Sequence, residues 1–127
     1  MKRLKVKLPD ENNKPVPIAI FAETVGRFFA VHRDIRWRRK TNGDRDYSRH
    51  VFNESGYTVT HVPTGYAIVR SVRTRRKALT CAGMLTSVKA VPWQMKQPKD
   101  FARFAKRIPA DVKKAVVSAV VDLRRVR

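Results

Sequence analysis

Two short stretches of the sequence concentrate the side chains that could bind an anion. Residues 33–49 contain seven arginine or lysine residues and three aspartates around the pair Asn42-Gly43, and residues 70–77 (RSVRTRRK) contain five cationic residues and no acid. Arginine predominates in both stretches. Because its planar guanidinium binds phosphate oxygens through two parallel hydrogen bonds and also stacks on bases, the chemistry that these stretches favour is phosphate binding.

The net charge of the whole chain indicates a polyanionic partner. The 127 residues include 29 lysine and arginine residues against 10 acidic ones, a formal charge of +19. A small soluble domain typically carries a net charge of roughly 2–8 in magnitude. Because a larger excess repels itself and destabilises the compact state, a partner that neutralises it is expected. Nucleic acid is the first candidate, an anionic membrane the second and an acidic protein the third.

The second cationic stretch lies at the predicted start of a helix. The helix dipole disfavours cations in the first turn by about 0.3–1 kcal/mol each, so a sequence selected for stability alone would carry acids there. The free N–H groups of a helix N-terminus bind anions, and surrounding arginines would strengthen such a site. We therefore predict phosphate contacts from the cations of this stretch, Arg70, Arg73, Arg75, Arg76 and Lys77.

The first cationic stretch predicts a basic β-hairpin. An Asn-Gly pair favours a type I′ turn, in which both central residues have positive φ. A two-stranded ribbon fits a nucleic-acid groove, and we expect Asp34, Asp44 and Asp46 to pair with neighbouring arginines and hold the ribbon in shape. The predicted contacts are Arg36, Arg38, Arg39, Lys40, Arg45 and Arg49.

Two aromatic residues of the hairpin, Trp37 and Tyr47, are candidates for stacking on bases. Aromatic rings interleaved with arginines form the kind of surface on which single strands stack. The alternative is a core position, because Trp37 shares one face of its predicted strand with Phe29, Val31 and Ile35. Both aromatics are included among the predicted binding residues, with this alternative open.

No catalytic or metal-binding residue is predicted. The histidines His32, His50 and His61 match no metal-binding spacing, and for His61 a structural role is favoured. The single cysteine, Cys81, excludes an internal disulfide, and its apolar surroundings favour a buried thiol. The prediction is a non-enzymatic protein with no cofactor and no small-molecule substrate. A metal-dependent nuclease that uses His61 or Asp46 is kept as an alternative.

The first half of the chain has the period-two pattern of strands and the second half the pattern of helices. Strands are predicted at residues 3–8, 16–22, 28–37, 46–52, 57–62 and 66–72. A helix from about Thr74 to Ala90 follows, with Thr74 as its N-cap; Pro98 opens a second helix and Pro109 separates it from a third. The fold class is therefore α+β, an antiparallel β-meander of four to six strands followed by two or three C-terminal helices packed on one face.

The length suits one domain, residues 1–127, with a sheet part (1–72) and a helical part (73–127). The basic first residues alternate with apolar ones and so do not resemble a signal peptide, and no apolar run approaches the ~20 residues of a membrane span. We therefore expect a cytoplasmic, nucleoid-associated or virion-associated protein that is not secreted. A membrane partner is disfavoured because the cations are spread over strands instead of lining one amphipathic helix.

These features together predict a nucleic-acid-binding protein that contacts mainly the phosphate backbone and has weak sequence specificity. DNA and RNA, single and double strands, are equally open. Two further alternatives are a structural component of a ribonucleoprotein or virion assembly, and an inhibitor or adaptor that docks on an acidic host protein. Cations of the helical half could extend the binding surface, namely Lys106, Arg107, Lys113 and Lys114.

Overall fold

Five strands form one antiparallel sheet in the order of the chain in the computed structural model, which describes residues 1–97 and 99–121. The strands are β1 (Lys2–Pro9), β2 (Pro15–Val25), β3 (Phe29–Arg39), β4 (Arg45–His61) and β5 (Tyr66–Val72). The helices α1 (Arg75–Thr86), α2 (Asp100–Phe104) and α3 (Ala110–Val121) follow, with a 3₁₀ turn (Ala105–Arg107) between the last two. The predicted α+β class with an antiparallel meander is confirmed. Pro98, the expected start of the second helix, lies outside the described residues.

The alternating pattern at the start of the chain forms the predicted strand. Val6 and Leu8 in β1 are buried and Leu4 is half-buried, whereas Lys5, between Leu4 and Val6, is exposed. The turn into β2 is built as its composition indicates, since Asn13 has a φ of +60° and the carboxylate of Asp10 accepts hydrogen bonds from two backbone N–H groups of the turn.

One predicted turn is absent, because β4 continues through residues 53–56 (NESG). Asn53 pairs with Asp34 and Tyr57 with Arg33, so residues 54–56 bulge out of the ladder while the strand keeps its direction. A Cβ on Gly56 would lie 2.5 Å from Oδ2 of Asp34. Gly56 therefore permits a close approach to Asp34, and the prediction of two separate strands here is wrong.

The strand β2 bends between two partners. Up to Ala22 it pairs with β1, and from Glu23 onward it pairs with β3. The hairpin of β1 and β2 thus folds over one face of the remaining sheet, and the N–H of Lys7 donates to the carbonyl of Gly65 at 2.8 Å. The apolar cluster between the layers consists of Val6, Leu8, Ile18, Ile20, Ala22, Ala30, Ile35 and Trp37.

The helices contribute to a second apolar cluster with the sheet. The helix α1 packs against β3 and β4, and α3 contacts α1 and β5. The strand residues of this cluster include Phe29, Val31 and Val59, and α1 contributes Cys81, whose burial raises the pKa of its thiol. The remaining members from α1 are Ala78, Ala82 and Leu85.

The helix α1 is shorter than its sequence pattern predicts. It ends at Thr86 instead of Ala90, yet Val88 remains buried in the second cluster. The carbonyl of Val88 accepts a hydrogen bond from the indole N–H of Trp93 at 3.0 Å. In a continued helix this carbonyl would accept from the N–H of residue 92, but Pro92 has none, so the indole supplies the donor. The chain after α1 forms an irregular segment in which Val88, Val91 and Trp93 are buried.

Candidate nucleic-acid interface

The tip of the hairpin formed by β3 and β4 is a three-residue loop. The carbonyl of Lys40 accepts from the N–H of Gly43 at 2.9 Å, and the N–H of Lys40 donates to the carbonyl of Asp44 at 2.8 Å. Gly43 has a φ of +90°, whereas Asn42 keeps a negative φ. The prediction of a type I′ turn is therefore wrong, and the loop has the hydrogen bonds of a turn followed by a glycine bulge. The side chain of Asn42 stabilises it by bonding the N–H and carboxylate of Asp44.

The three aspartates near the hairpin bond to hydroxyl, amide and backbone groups. Asp44 accepts from the side chain of Asn42, and Asp34 is buried and accepts from Thr58 and from the N–H of Ser71. Asp46 accepts from the N–H and hydroxyl of Ser48, and these hydrogen bonds lower the pKa of Asp46. In the described part of the chain the hydrogen bonds of the three aspartates therefore differ from the expected pairing with neighbouring arginines, although the charges of Lys40 and Arg38 also lower the pKa of Asp46.

The cations predicted for the hairpin point into solvent. Arg36 and Arg39 each donate to a nearby backbone carbonyl, of Trp37 at 3.3 Å and of Gly43 at 3.1 Å respectively. These bonds hold two guanidinium groups close to the ribbon and leave further N–H donors on each of them. The exposed set comprises Arg36, Arg38, Arg39, Lys40, Arg45 and Arg49.

Trp37 does not belong to this exposed surface. Its side chain is buried, and its indole N–H donates to the carbonyl of Pro9 at 2.6 Å. Tyr47 is half-buried and packs against it, with ring centroids 5.7 Å apart. Because stacking on a base would require Trp37 to leave the core, its prediction as a binding residue is corrected. Through this hydrogen bond Trp37 links the hairpin to the end of β1, next to the turn into β2.

The second predicted cluster surrounds the start of α1. The hydroxyl of Thr74 accepts from the N–H of Lys77 at 3.1 Å, which confirms Thr74 as the N-cap, and no acid occupies the first turn. Arg73, Arg75 and Arg76 are exposed, and Lys77 is half-buried. Three arginines therefore surround a helix N-terminus.

One arginine of this cluster, Arg75, forms an ion pair with the carboxylate of Glu23. Nε and Nη2 of Arg75 donate to the two carboxylate oxygens of Glu23 at 2.8 and 2.7 Å. This two-point geometry is the one in which a guanidinium binds a phosphate group. Glu23 thus occupies the position that a bound phosphate would take at Arg75.

Arg70 is exposed, like the arginines at the start of α1, and also makes a hydrogen bond within the sheet. Its Nη2 donates to the carbonyl of Ile35 at 2.7 Å and links β5 to β3. The guanidinium borders a small buried space together with Val6, Leu8 and His32. This bond links two strands of the sheet, and because the exposed guanidinium keeps further N–H donors, Arg70 stays a predicted phosphate contact.

Two of the three histidines, His32 on β3 and His61 on β4, are packed into the fold. In His61, Nε2 donates to the carbonyl of Trp93 and Nδ1 bonds the hydroxyl of Thr64 at 3.0 Å. In His32, Nδ1 donates to the carbonyl of Arg33 and Nε2 accepts from Thr60. Burial lowers the pKa of both histidines, which favours their neutral forms. Both rings therefore serve as internal hydrogen-bonding groups.

The described residues hold no group of three or more histidine, cysteine or acidic side chains that could bind a metal ion. Asp46 lies at the exposed hairpin, paired in the ladder with Arg38, whereas His61 pairs with Phe29 at the other end of β3. His50 is exposed, with its ring edge-on to Phe52 at 6.0 Å. Asp46 and His61, the two residues named for the nuclease alternative, therefore lie toward opposite ends of the ladder between β3 and β4.

The two cationic clusters lie at different levels of the sheet along the direction of β3. Arg33 pairs with Tyr57, and Tyr57 with Val72, so the start of α1 lies near the level of Arg33. The hairpin tip begins at Arg39, and at about 3.3 Å per residue the two levels are roughly 20 Å apart. Exposed Arg36 lies between them. Further exposed cations occur on the helical half, at Lys106, Arg107, Lys113 and Lys114.

A groove between Phe21 and Phe52 was not predicted from the sequence. It has a volume of about 310 Å³ and is also lined by Arg33, Tyr57 and Arg75. The signal that could have found it is the alternation in β2, where the buried residues on either side of Phe21 direct that ring outward. Phe52 lies on β4, so only the fold brings the two rings to one groove.

No protein-family model, curated protein or solved structure matches the chain. None of the helices in the described part of the chain has the length and apolar character needed to cross a membrane.

Proposed function

We propose that the protein is a non-enzymatic nucleic-acid-binding protein that contacts mainly the phosphate backbone. The observation that carries this proposal is the start of α1, where Arg73, Arg75 and Arg76 are exposed around a capped N-terminus with no acid in the first turn. This arrangement is unfavourable for an isolated helix and favourable for a bound phosphate. The cations of the hairpin supply the second set of contacts.

The spacing of the two clusters suits an extended polyanion. A separation of roughly 20 Å corresponds to about six steps along one strand of a duplex, at ~3.4 Å each. Because phosphate contacts position a protein without reading bases, we expect weak sequence specificity. In this proposal the chain acts as one cytoplasmic, nucleoid-associated or virion-associated domain, with its helices together covering one face of the sheet. Its partner is DNA or RNA, alone or in a larger nucleoprotein assembly.

Replacing Arg73, Arg75 and Arg76 together by glutamine is expected to weaken nucleic-acid binding about 50-fold. This corresponds to a loss of somewhat under ~1 kcal/mol of binding free energy for each of the three exposed charge contacts. The loss should be similar for single- and double-stranded DNA and RNA, because backbone contacts are shared by all four. Fluorescence anisotropy with labelled oligonucleotides at fixed salt measures the dissociation constants. Binding that is lost for one ligand alone would instead indicate base or shape recognition.

A matched control removes the same charge elsewhere. Lys89, Lys96 and Lys99 are exposed and lie outside both clusters, and changing them to glutamine takes the formal charge from +19 to +16, as the arginine variant does. The control should bind within about threefold of the wild type, since only long-range, screened charge is lost. Equal losses in the two variants would show that net charge alone drives binding and would overturn the assignment of the cluster. A wild-type protein that binds no nucleic acid, even at low salt, would overturn the function.

Changing Glu23 to glutamine is expected to strengthen nucleic-acid binding about threefold, because the guanidinium of Arg75 loses its internal carboxylate partner and exposed ion pairs contribute only ~0–1 kcal/mol. The same measurement on Asp111→Asn, an exposed acid at the start of α3, controls for the change in net charge. The gain should disappear when Arg75→Gln is added to Glu23→Gln. A gain of the same size in the control would mean that Glu23 acts only through total charge.

A further inference from the structure

The groove between Phe21 and Phe52 exposes two aromatic rings that belong to neither of the apolar clusters. The side chain of Phe21 is 65% exposed and that of Phe52 is 48% exposed, whereas Phe29, on the strand between theirs, is fully buried. Phenylalanine is among the residues most often buried, and neighbouring exposed rings in one groove mark an interaction site more often than single ones do.

The position of α1 explains why this part of the sheet is uncovered. The helix packs over the Phe29 and Val59 region and begins at Arg75, which is fixed to Glu23 of β2. Phe21 lies two residues before Glu23 on the same strand, beyond the N-terminus of the helix. The groove therefore begins where the helical cover stops, next to the cationic helix start.

The rings of the groove are interleaved with cations. The guanidinium of Arg33 lies 5.2 Å from the ring centroid of Tyr57, and Arg75 forms part of the lining. Arg3 pairs directly with Phe21 across the ladder of β1 and β2, so its side chain emerges on the same face. Aromatic faces for bases beside arginines for phosphates are the combination that binds unpaired nucleotides. A duplex keeps its bases stacked inside and cannot use such rings.

We propose that this groove binds single-stranded nucleic acid, with unpaired bases stacked on Phe21 and Phe52 and the adjacent phosphates at Arg33 and the start of α1. The inference rests on the proposed function and adds to it a preference for single strands. Charge favours this occupant over a second copy of the chain, because two chains that each carry +19 repel one another.

The test is the double variant Phe21→Ala/Phe52→Ala, with 12-nucleotide oligothymidine and a 12-base-pair duplex as probes in anisotropy titrations. Affinity for the single strand is expected to fall about 30-fold, while affinity for the duplex changes less than about twofold. Val117→Ala, at an exposed apolar residue on α3, is the control and should leave both affinities unchanged. Circular dichroism of each variant checks that the fold is retained.

A second readout reports stacking directly. Trp37 and Trp93 are buried, so Phe21→Trp would add an exposed indole whose fluorescence a stacked base quenches. We expect single-stranded binding to be retained in Phe21→Trp and its added emission to be quenched by oligothymidine but not by the duplex. Absence of quenching during tight binding would overturn the stacking inference.

The outcomes separate this inference from the function on which it rests. Equal weakening of single- and double-stranded binding by the double alanine variant would overturn the single-strand preference and leave the phosphate-directed function standing. Failure of the wild type to bind either probe would overturn both. A wild-type dimer in sedimentation that becomes a monomer in the double variant, with unchanged nucleic-acid affinity, would assign the groove to a second copy and overturn the inference.

Discussion

Raising the salt concentration from 50 to 200 mM is expected to weaken nucleic-acid binding by about 10³–10⁵-fold, the loss that accompanies neutralisation of roughly six to ten phosphates. Six exposed cations at the hairpin and three exposed arginines around the start of α1 supply nine candidate contacts. Each contact releases a condensed counterion from the nucleic acid, and added salt opposes that release. Anisotropy titrations at several salt concentrations give the slope of log affinity against log salt.

Two comparisons make the salt experiment specific to the proposed surface. The Arg73, Arg75 and Arg76 glutamine variant should have a slope shallower by about two to three, because each lost phosphate contact lowers it by nearly one. The Lys89, Lys96 and Lys99 variant should keep the slope of the wild type. Affinity that hardly changes with salt would contradict the function and favour a partner recognised through apolar or uncharged contacts.

Replacing Trp37 by alanine is expected to lower the free energy of unfolding by about 3–5 kcal/mol, the usual result of truncating a buried tryptophan. The ring is 7% exposed, packs against Tyr47 and donates its N–H to the carbonyl of Pro9. Trp37→Phe retains part of the packing and leaves that carbonyl without its donor, so a smaller loss of about 1–3 kcal/mol is expected. Urea unfolding followed by circular dichroism measures both values.

The same variants distinguish a core residue from a base-stacking one. Because Trp37 is buried, Trp37→Phe at low temperature should bind nucleic acid as the wild type does once affinity is expressed per folded molecule. A Trp37 variant with unchanged stability and much weaker binding would show that the ring contacts the ligand and would restore the original sequence prediction. Since small domains are stable by only about 5–15 kcal/mol, Trp37→Ala could populate the unfolded state measurably, and Trp37→Phe keeps the comparison possible.

Local features of the structure follow the sequence closely. The alternation of β1 predicts which residues are buried, because neighbouring side chains on a strand point to opposite faces. Thr74 caps α1 as expected, since its hydroxyl meets a free backbone N–H three residues away. The Asn42-Gly43 pair marks the hairpin correctly although the turn has a different type, because the glycine alone adopts the positive φ.

Features that depend on distant parts of the chain could not be predicted in this way. The segment at residues 53–56 has the composition of a turn, yet Asp34 and Tyr57 find partners on either side of it and the strand continues. Arg70 resembles its cationic neighbours in the sequence, and only the fold brings its guanidinium to the carbonyl of Ile35, which lies two strands away in the sheet.

The sequence by itself determined the period of most elements, the order of sheet and helices, and the excess of cations on which the proposal of an anionic partner rests. These properties arise from neighbouring residues and from composition, which need no knowledge of packing. Only the tertiary structure decided which side chains remain available: the bend in β2 buries Trp37, and the place where α1 begins leaves Phe21 uncovered. Whether a side chain is exposed depends on contacts between residues far apart in the chain, and these contacts form only when the strands and helices pack together.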